Sequence, residues 1–504
     1  MRKINWRDWL SVAVVSFGSF TALLSSTNVE IAFPYIMGAL GMELKMVQWT
    51  VSIFMIVMTI AMFTTADATR RYGLRFCFLL SAFIMLFGSG ICALAESSSI
   101  LIIGRAVQGF AVGFQMPLGA ILVSKIFPTE RIGFAMGIYG AVMLLAPAMG
   151  PVMGGYLVEK FQWGAIFYLQ IPLAMFSALT GYLFLKQEKV AQIASAKVKT
   201  YDLMGLLLVS VHIVSMFMCL SEVQEQGLFR VESFSLALLC VAALVLFLGQ
   251  ELRHPFPLLN LKLFSKIEFC ISLLVILLIG FGLFSSVLIV PYYFQNVLQM
   301  PAADVGESLI WTGLIMSLLS PVCGKLSDMD FLFALVVSGL ILFFLSCYWI
   351  SEIQLGSTIQ SIILLLILGR IGFSILLPAI YTNSMRMLNE TEVADGAVLI
   401  NLARQLGGTF GVIYVSGYYE HTSYQVSAYL KMLFSTEHLQ NTLTGPLSQQ
   451  QLLIELAQYS DPINKLSGFI AFVEIFRLTA LMALATIAII VVHRLYKLIT
   501  TKSA

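Results

Sequence analysis

Runs of apolar residues about 18 to 25 long, enough to cross the roughly 30 Å of hydrocarbon in a bilayer, recur fourteen times along this 504-residue chain. They cover 9–34, 47–66, 76–95, 100–124, 134–158, 164–185, 203–221, 233–250, 269–292, 305–325, 331–350, 359–385, 396–418 and 470–493. In lipid, backbone donors and acceptors can be satisfied only within a helix or a closed barrel, and runs of this length predict helices. Composition agrees: 59% of residues are hydrophobic and 11% charged, against roughly 25% charged in a soluble domain. The chain therefore reads as an all-α polytopic membrane protein. Its first run outlasts a signal-peptide core of roughly 7 to 15 residues and has no small-residue cleavage site behind it, so it is expected to remain as the first span.

Lysine and arginine set the orientation. Twenty fall on one set of ends and loops, six on the other, and three, Arg105, Arg370 and Arg404, lie inside spans. Both termini are expected on the cytoplasmic side of a bacterial inner membrane, with the lipid bilayer as constant partner. Tryptophans at 6, 9, 49, 163 and 349 fall near span ends, where an aromatic belt would place them. A net charge of +2 gives no basic surface for nucleic acid. All seven cysteines fall in or beside apolar runs, so structural disulfides are not expected. Two loops are long, Lys186–Asp202 and Tyr419–Gly468. In the second, Ser448 and the three glutamines after it read as a capping box opening a short amphipathic helix.

The fifth span carries GAVMLLAPAMGPVMGG from Gly140 to Gly155, with small residues throughout and Pro147 and Pro151 four apart. A small-residue face lets two helix backbones approach closely in lipid, and the prolines remove donors and bend the helix. A generic packing face would explain Gly150 and Gly154 alone. With both prolines and the Gly154-Gly155 pair, the stretch resembles the fifth-helix antiporter motif of the drug exporters of the major facilitator superfamily.

Other segments carry the same resemblance, to that superfamily's fourteen-span drug:proton antiporter family. They are Gln48-Trp49 in the second span, Arg105, Gln108 and Gly109 in the fourth, and Trp163, Ile166, Phe167 and Pro172 at the start of the sixth. PYYFQNVLQ from Pro291 to Gln299 is similar to the end of the ninth, and Asn401, Arg404, Gln405, Gly407, Gly408 and Gly411 to the thirteenth. The resemblance implies the major facilitator fold, two pseudo-symmetric six-helix halves with two inserted helices. The implied division is an N-terminal half over 1–186, a cytoplasmic linker and two inserted spans over 187–262, and a C-terminal half over 263–504 with an external loop at 419–468.

The sequence also departs from the family pattern. The loop between spans two and three keeps Asp67, Arg71, Gly73 and Arg75, but Arg70 stands where the family carries Asp; the matching loop after span ten keeps Gly324 and Asp328 and lacks the following Arg-x-Gly. These six are the candidate cytoplasmic gating residues. In the first span the family's Asp is Ser25 and its Asn is Glu30.

An ionisable side chain inside a span is unfavourable by several kcal/mol unless paired or facing water, so each is a candidate for function. At about 100° per residue, Arg105, Gln108 and Gln115 lie within about 80° on one helix face, a polar stripe expected to face a substrate cavity with Ser26, Arg370, Asn401, Arg404 and Gln405. Structural pairing is the plainer account of the arginines. Glu30 and Arg105 are the candidates for proton coupling, since a carboxyl in a dehydrated site holds its proton closer to neutral pH. Glu30 reads equally as a carboxylate at the external mouth that attracts cations.

No phosphate-binding loop, paired carboxylates, nucleophile elbow or metal-ligand spacing points to an enzyme, and no cofactor is expected. The resemblance implies proton-coupled export of small amphipathic or lipophilic compounds by alternating access, with a periplasmic adaptor protein as a candidate partner. An exporter dedicated to one endogenous compound, such as a siderophore, and a non-transporting receptor or scaffold remain as alternatives.

Overall fold

The computed structural model describes residues 5–128, 131–186, 201–226, 230–329, 331–433 and 449–502. The linker expected between Lys186 and Asp202 lies almost wholly outside them, as does Ser448 of the expected capping box. Described residues form fourteen helices long and apolar enough to cross a membrane. In chain order the helices are α1 (Trp6–Thr27), α2 (Phe33–Leu40), α3 (Leu44–Tyr72), α4 (Leu74–Ala93), α5 (Ser98–Ile126), α6 (Ile132–Lys160) and α7 (Ala165–Phe184). There follow α8 (Leu203–Gln226), α9 (Val231–Arg253), α10 (Ile267–Asn296), α11 (Ala302–Ser327), α12 (Leu332–Ser351), α13 (Ile359–Arg386), α14 (Val393–Leu433) and, as the last, α15 (Gln449–Lys502).

The first span is two helices rather than one. Pro34 has no N–H to donate, and its ring would collide with the carbonyl four residues earlier, that of Glu30. The chain accordingly leaves the α-helix after Thr27, makes a short 3₁₀ turn over Glu30–Ala32 and resumes as α2, which ends at Gly41 with φ of 61°. A rotation angle drawn along an unbroken helix therefore does not place Glu30.

Helices α14 and α15 correct the long external loop. Residues 419–433 and 449–468 are helical, continuing both spans beyond their apolar stretches. Hydropathy marks where the bilayer ends, not where the helix ends, and Tyr419–Leu433 contains no Gly or Pro to stop it.

Helices α1 to α7 pack as one group and α10 to α15 as another, while α8 and α9 pack on each other and touch α3. The closest meeting of the groups is α6 against α11. A Cβ on Gly137 would lie 2.6 Å from the Ser320 carbonyl oxygen and one on Gly133 2.5 Å from that of Gly324, so only glycine permits this approach. Gly140 continues the seam towards Leu377 and Ser320. Farther along, α11 stays against α6 through Gly313 at Ala148, and a second partner joins: Gly150 and Gly154 lie against Thr27 and Asn28, where the first span breaks. Exposed Leu238, Val241, Val245 and Leu246 on α9 are side chains suited to lipid.

A Cβ at Gly150 would come within 2.9 Å of Thr27 Cβ and one at Gly154 within 2.9 Å of the Asn28 carbonyl oxygen, whereas at Gly155 its nearest neighbour is 3.8 Å away. Gly150→Leu and Gly154→Leu should abolish transport while protein still reaches the membrane, and Gly155→Leu should keep most of it. Transport assays beside immunoblots of membrane fractions check this; normal transport by the two seam leucines would show that close contact is dispensable.

Candidate functional site

A cavity of about 360 Å³ lies between the two groups of helices. Its walls are largely apolar, with Pro147 and Pro151 of α6, Leu283 and Val287 of α10 and Met316 of α11 among them. It runs towards the ends of helices at Tyr35, Glu159 and Gln295, so it opens on the face opposite the N-terminus. Glu30, Arg370 and, towards the open end, Glu159 bring charged groups to it, and the break before α2 aims the half-buried Glu30 there. Glu30 also reaches a smaller space of about 20 Å³ that includes Ser26 and Gln405.

The N-terminal face is closed, first by backbone and hydroxyl contacts. Ser320 Oγ donates to the Gly137 carbonyl at 2.9 Å and Ser317 Oγ to that of Ala141 at 2.8 Å. Tyr139 Oη donates to the Met116 carbonyl at 2.7 Å, and Arg404 Nη2 reaches Met116 Sδ at 3.4 Å. At the surface, Asp328 accepts from the N–H groups of Gly133 at 2.7 Å and Phe134 at 3.0 Å, so a carboxylate from one group caps the first turn of α6 in the other. Burial pushes the Asp328 carboxyl above the usual aspartate range, opposed by those N–H groups and by the Arg386 guanidinium. Arg70 Nη1 lies 2.9 Å from both carboxylate oxygens of Asp395, joining α3 to α14.

Of the gating residues read from sequence, Gly324 and Asp328 sit in this closure. Asp67 and Arg71 pair locally at 2.5 Å on one helix, Arg75 Nη2 donates to the Tyr182 carbonyl at 2.7 Å, and Gly73 makes the turn into α4 with φ of 81°. The residue that crosses to the other group is Arg70, which the sequence reading set aside as a departure from pattern. An arginine ending one span and an acid, Asp395, opening another were the available signal.

Arg105 is fully buried, away from the main cavity. Its Nε donates to the Thr50 carbonyl at 3.1 Å, and its Nη1 to the Ser25 carbonyl at 3.0 Å and to Gln108 Oε1 at 2.9 Å. The guanidinium also lies 4.1 Å from the centre of the Phe54 ring. Thus the position carrying Ser instead of Asp still meets Arg105, through its main chain. Arg105 and Glu30 interact electrostatically but form no ion pair among the described residues.

The polar stripe on α5 exists but does not face the main cavity. Gln108 is enclosed between Arg105 and Ser89, and Gln115 is bonded to Ser81 beside a separate cleft at Gly18 and Thr21. Periodicity puts the three on one face without saying which helices cover it. Asn401 is likewise buried, its Nδ2 on the Ala397 carbonyl at 2.9 Å, and Arg404 is used in the closure. Gly155, with Thr312, lines the cavity, which no sequence pattern indicated for Thr312.

Helical spans around a central cavity, sealed at one end, define a membrane transporter by class. The model of the Major Facilitator Superfamily matches residues 15–412, and the chain belongs to that family. The lincomycin resistance protein LmrB of Listeria innocua is 26% identical over 400 residues, covering 79% of this chain and 84% of the relative. The multidrug export protein EmrB of Haemophilus influenzae is 26% identical over 404 residues, 80% of this chain and 78% of that one. The crystal structure of the human organic anion transporter MFSD10 (TETRAN) superposes with a TM-score of 0.58 at 13% identity, over 94% of this chain and 99% of that chain, a likeness of fold alone.

Because Arg105 binds acceptors on three helices with its planar fork, a lysine cannot replace it. Arg105→Lys and Arg105→Ala should both lose transport by at least ~10-fold, the equivalent of one charge-assisted hydrogen bond; partial activity in the lysine variant alone would mean that charge suffices. Arg70→Asp should impair transport and the exchange Arg70→Asp with Asp395→Arg should restore part of it. A double variant no better than the single one would remove this pair from the closure.

Proposed function

We propose that this protein exports small amphipathic or lipophilic compounds in exchange for protons, by alternating access of one cavity to the two sides of the membrane. The observation that carries the reading is a largely apolar cavity, open at one face only, with a carboxyl, Glu30, in its wall. Basic residues concentrate on the closed face, which makes that face cytoplasmic by the positive-inside rule and the arrangement outward-facing. Domains 1–186 and 263–504 then rock against each other about the α6 and α11 seam, with 187–262 as an insertion. The names of the two bacterial relatives, a drug-resistance and a multidrug export protein, support export.

Glu30 takes the coupling proton in this reading. Arg105 acts as a positioning residue that fixes α1, α3 and α5 around it. The helical continuations of α14 and α15 on the external face are where a periplasmic adaptor would dock. A non-transporting scaffold is disfavoured by the closure itself, because Arg70 and Asp395 keep a charge pair where the loop had read as damaged. A pump dedicated to one endogenous compound differs from a multidrug pump only in substrate breadth.

Glu30→Gln imitates the protonated carboxyl permanently. In sealed inverted vesicles the variant should bind substrate and exchange it across the membrane, yet fail to accumulate it when a pH difference is imposed. Uphill accumulation at the normal rate would mean that the proton rides elsewhere.

A further inference from the structure

We propose that the cavity takes amphiphilic anions, with Arg370, a buried and unpaired arginine in its wall, receiving the acidic head group. The proposal rests on the export reading for the direction of movement but not for the binding site. Among the described residues, four charged side chains lie in the interior of the two packed groups away from the span ends: Glu30, Arg105, Arg370 and Arg404. Of these four, Glu30 and Arg370 line the main cavity, which Glu159 also borders towards its open end.

Each of the three arginines has one buried nitrogen without a partner, Arg105 Nη2, Arg370 Nη1 and Arg404 Nε, but they differ in what else holds them. Arg105 has the carbonyls of Ser25 and Thr50 and the amide of Gln108. Arg404 has Met116 Sδ and sits in the closure. Arg370 makes no side-chain hydrogen bond or ion pair with any described residue, although only 8% of its surface is exposed and its Nη1 is buried without a partner. That nitrogen has given up water without gaining a protein acceptor, which is unfavourable inside a membrane unless something else supplies the countercharge.

Its position shows where that countercharge enters. Arg370 borders both the main cavity and a side pocket of about 20 Å³. The hydroxyl-bearing residues Ser285, Ser286, Ser346 and Thr479 line this side pocket, and Ser285 Oγ is also buried without a hydrogen-bond partner. A space of that size holds a group about as large as one water. A carboxylate or sulfonate at the junction accepts from the Arg370 guanidinium, places an oxygen by the Ser285 hydroxyl and leaves its apolar body against Leu283, Val287 and the α6 prolines. An organic cation in the same cavity meets Glu30 and, towards the open end, Glu159, but its head group gains nothing at Arg370. An anion leaving an interior held negative also moves with the membrane potential.

The test uses three fluorescent probes with one apolar body: 1-pyrenebutyrate, 1-pyrenebutanol and 1-pyrenebutylamine. Binding to the full-length protein in lipid nanodiscs is measured against protein-free nanodiscs. The butyrate should bind at least ~10-fold more tightly than the alcohol or the amine, the size of one charge-assisted contact. Arg370→Gln should bring the butyrate down to the alcohol's affinity while leaving the alcohol unchanged, which also shows that the variant is folded, and Arg370→Lys should keep part of the preference. Should Arg370→Gln fail to fold, Ser285→Ala serves instead, weakening the butyrate alone. Equal or tighter binding of the amine, or butyrate binding indifferent to both substitutions, overturns the proposal. Butyrate bound through Arg370 but never accumulated by vesicles under a pH difference would sink the export reading and leave the anion site standing; accumulation of the amine instead of the butyrate would do the reverse.

Discussion

In a bilayer the sides of helices gain nothing by leaving water, so α6 is held by contact, and its glycines decide how close that contact is. Near its N-terminus Gly133 and Gly137 let the backbone of α11 in; near the other end Gly150 and Gly154 do the same for the break in the first span. One helix thus has two close partners in different groups. Pro147, before the second contact, and Pro151, within it, face the cavity. In the proposed alternating access, the α11 contact is the one that opens while the α1 contact stays.

The break in the first span is the second consequence of a single residue type. Pro34 forces the chain out of the helix near Glu30, and the turn that results points this carboxyl at two spaces between the groups. Just before the break, the Ser25 carbonyl accepts from Arg105. Arg105 therefore ties α1, α3 and α5 together with neutral acceptors, and its charge is left to act at a distance. A serine in place of an aspartate at that position changes the electrostatics of the interior without loosening the helices.

Much of this could be read from the chain, and the misses share a cause. Spans were visible because lipid demands long apolar runs, and the Gly140 to Gly155 stretch because close packing demands small residues. The side of a span facing the cavity was not visible, since a cavity for lipophilic compounds is as apolar as lipid; Met316 and Leu283 look the same in either place. Polar residues misled for the opposite reason. Gln108, Gln115 and Asn401 were read as cavity-facing because in a membrane a polar side chain must meet something, but what they meet is other protein. Arg70 was misjudged because the loop was measured against a pattern, while its partner Asp395 lies more than three hundred residues away. The lengths of α14 and α15 escaped because hydropathy is blind to a helix that continues into water.

The closure is built from contacts weak enough to reverse. Arg70 has 41% of its side chain exposed, so its pair with Asp395 is partly screened by solvent, and such pairs contribute about 0 to 1 kcal/mol. The Asp328 cap on α6 adds an amount of the order of an N-cap, about 0.5 to 2 kcal/mol. Moving a two-state equilibrium from 1:99 to 99:1 takes about 5.5 kcal/mol, more than these contacts supply together. The surface contacts therefore bias the closed state rather than lock it. The remaining contact across the closure is the fit of α6 on α11, where glycine brings the two backbones together. In the proposed mechanism, a proton or head group at the cavity shifts the state only by as much as it binds one arrangement better than the other.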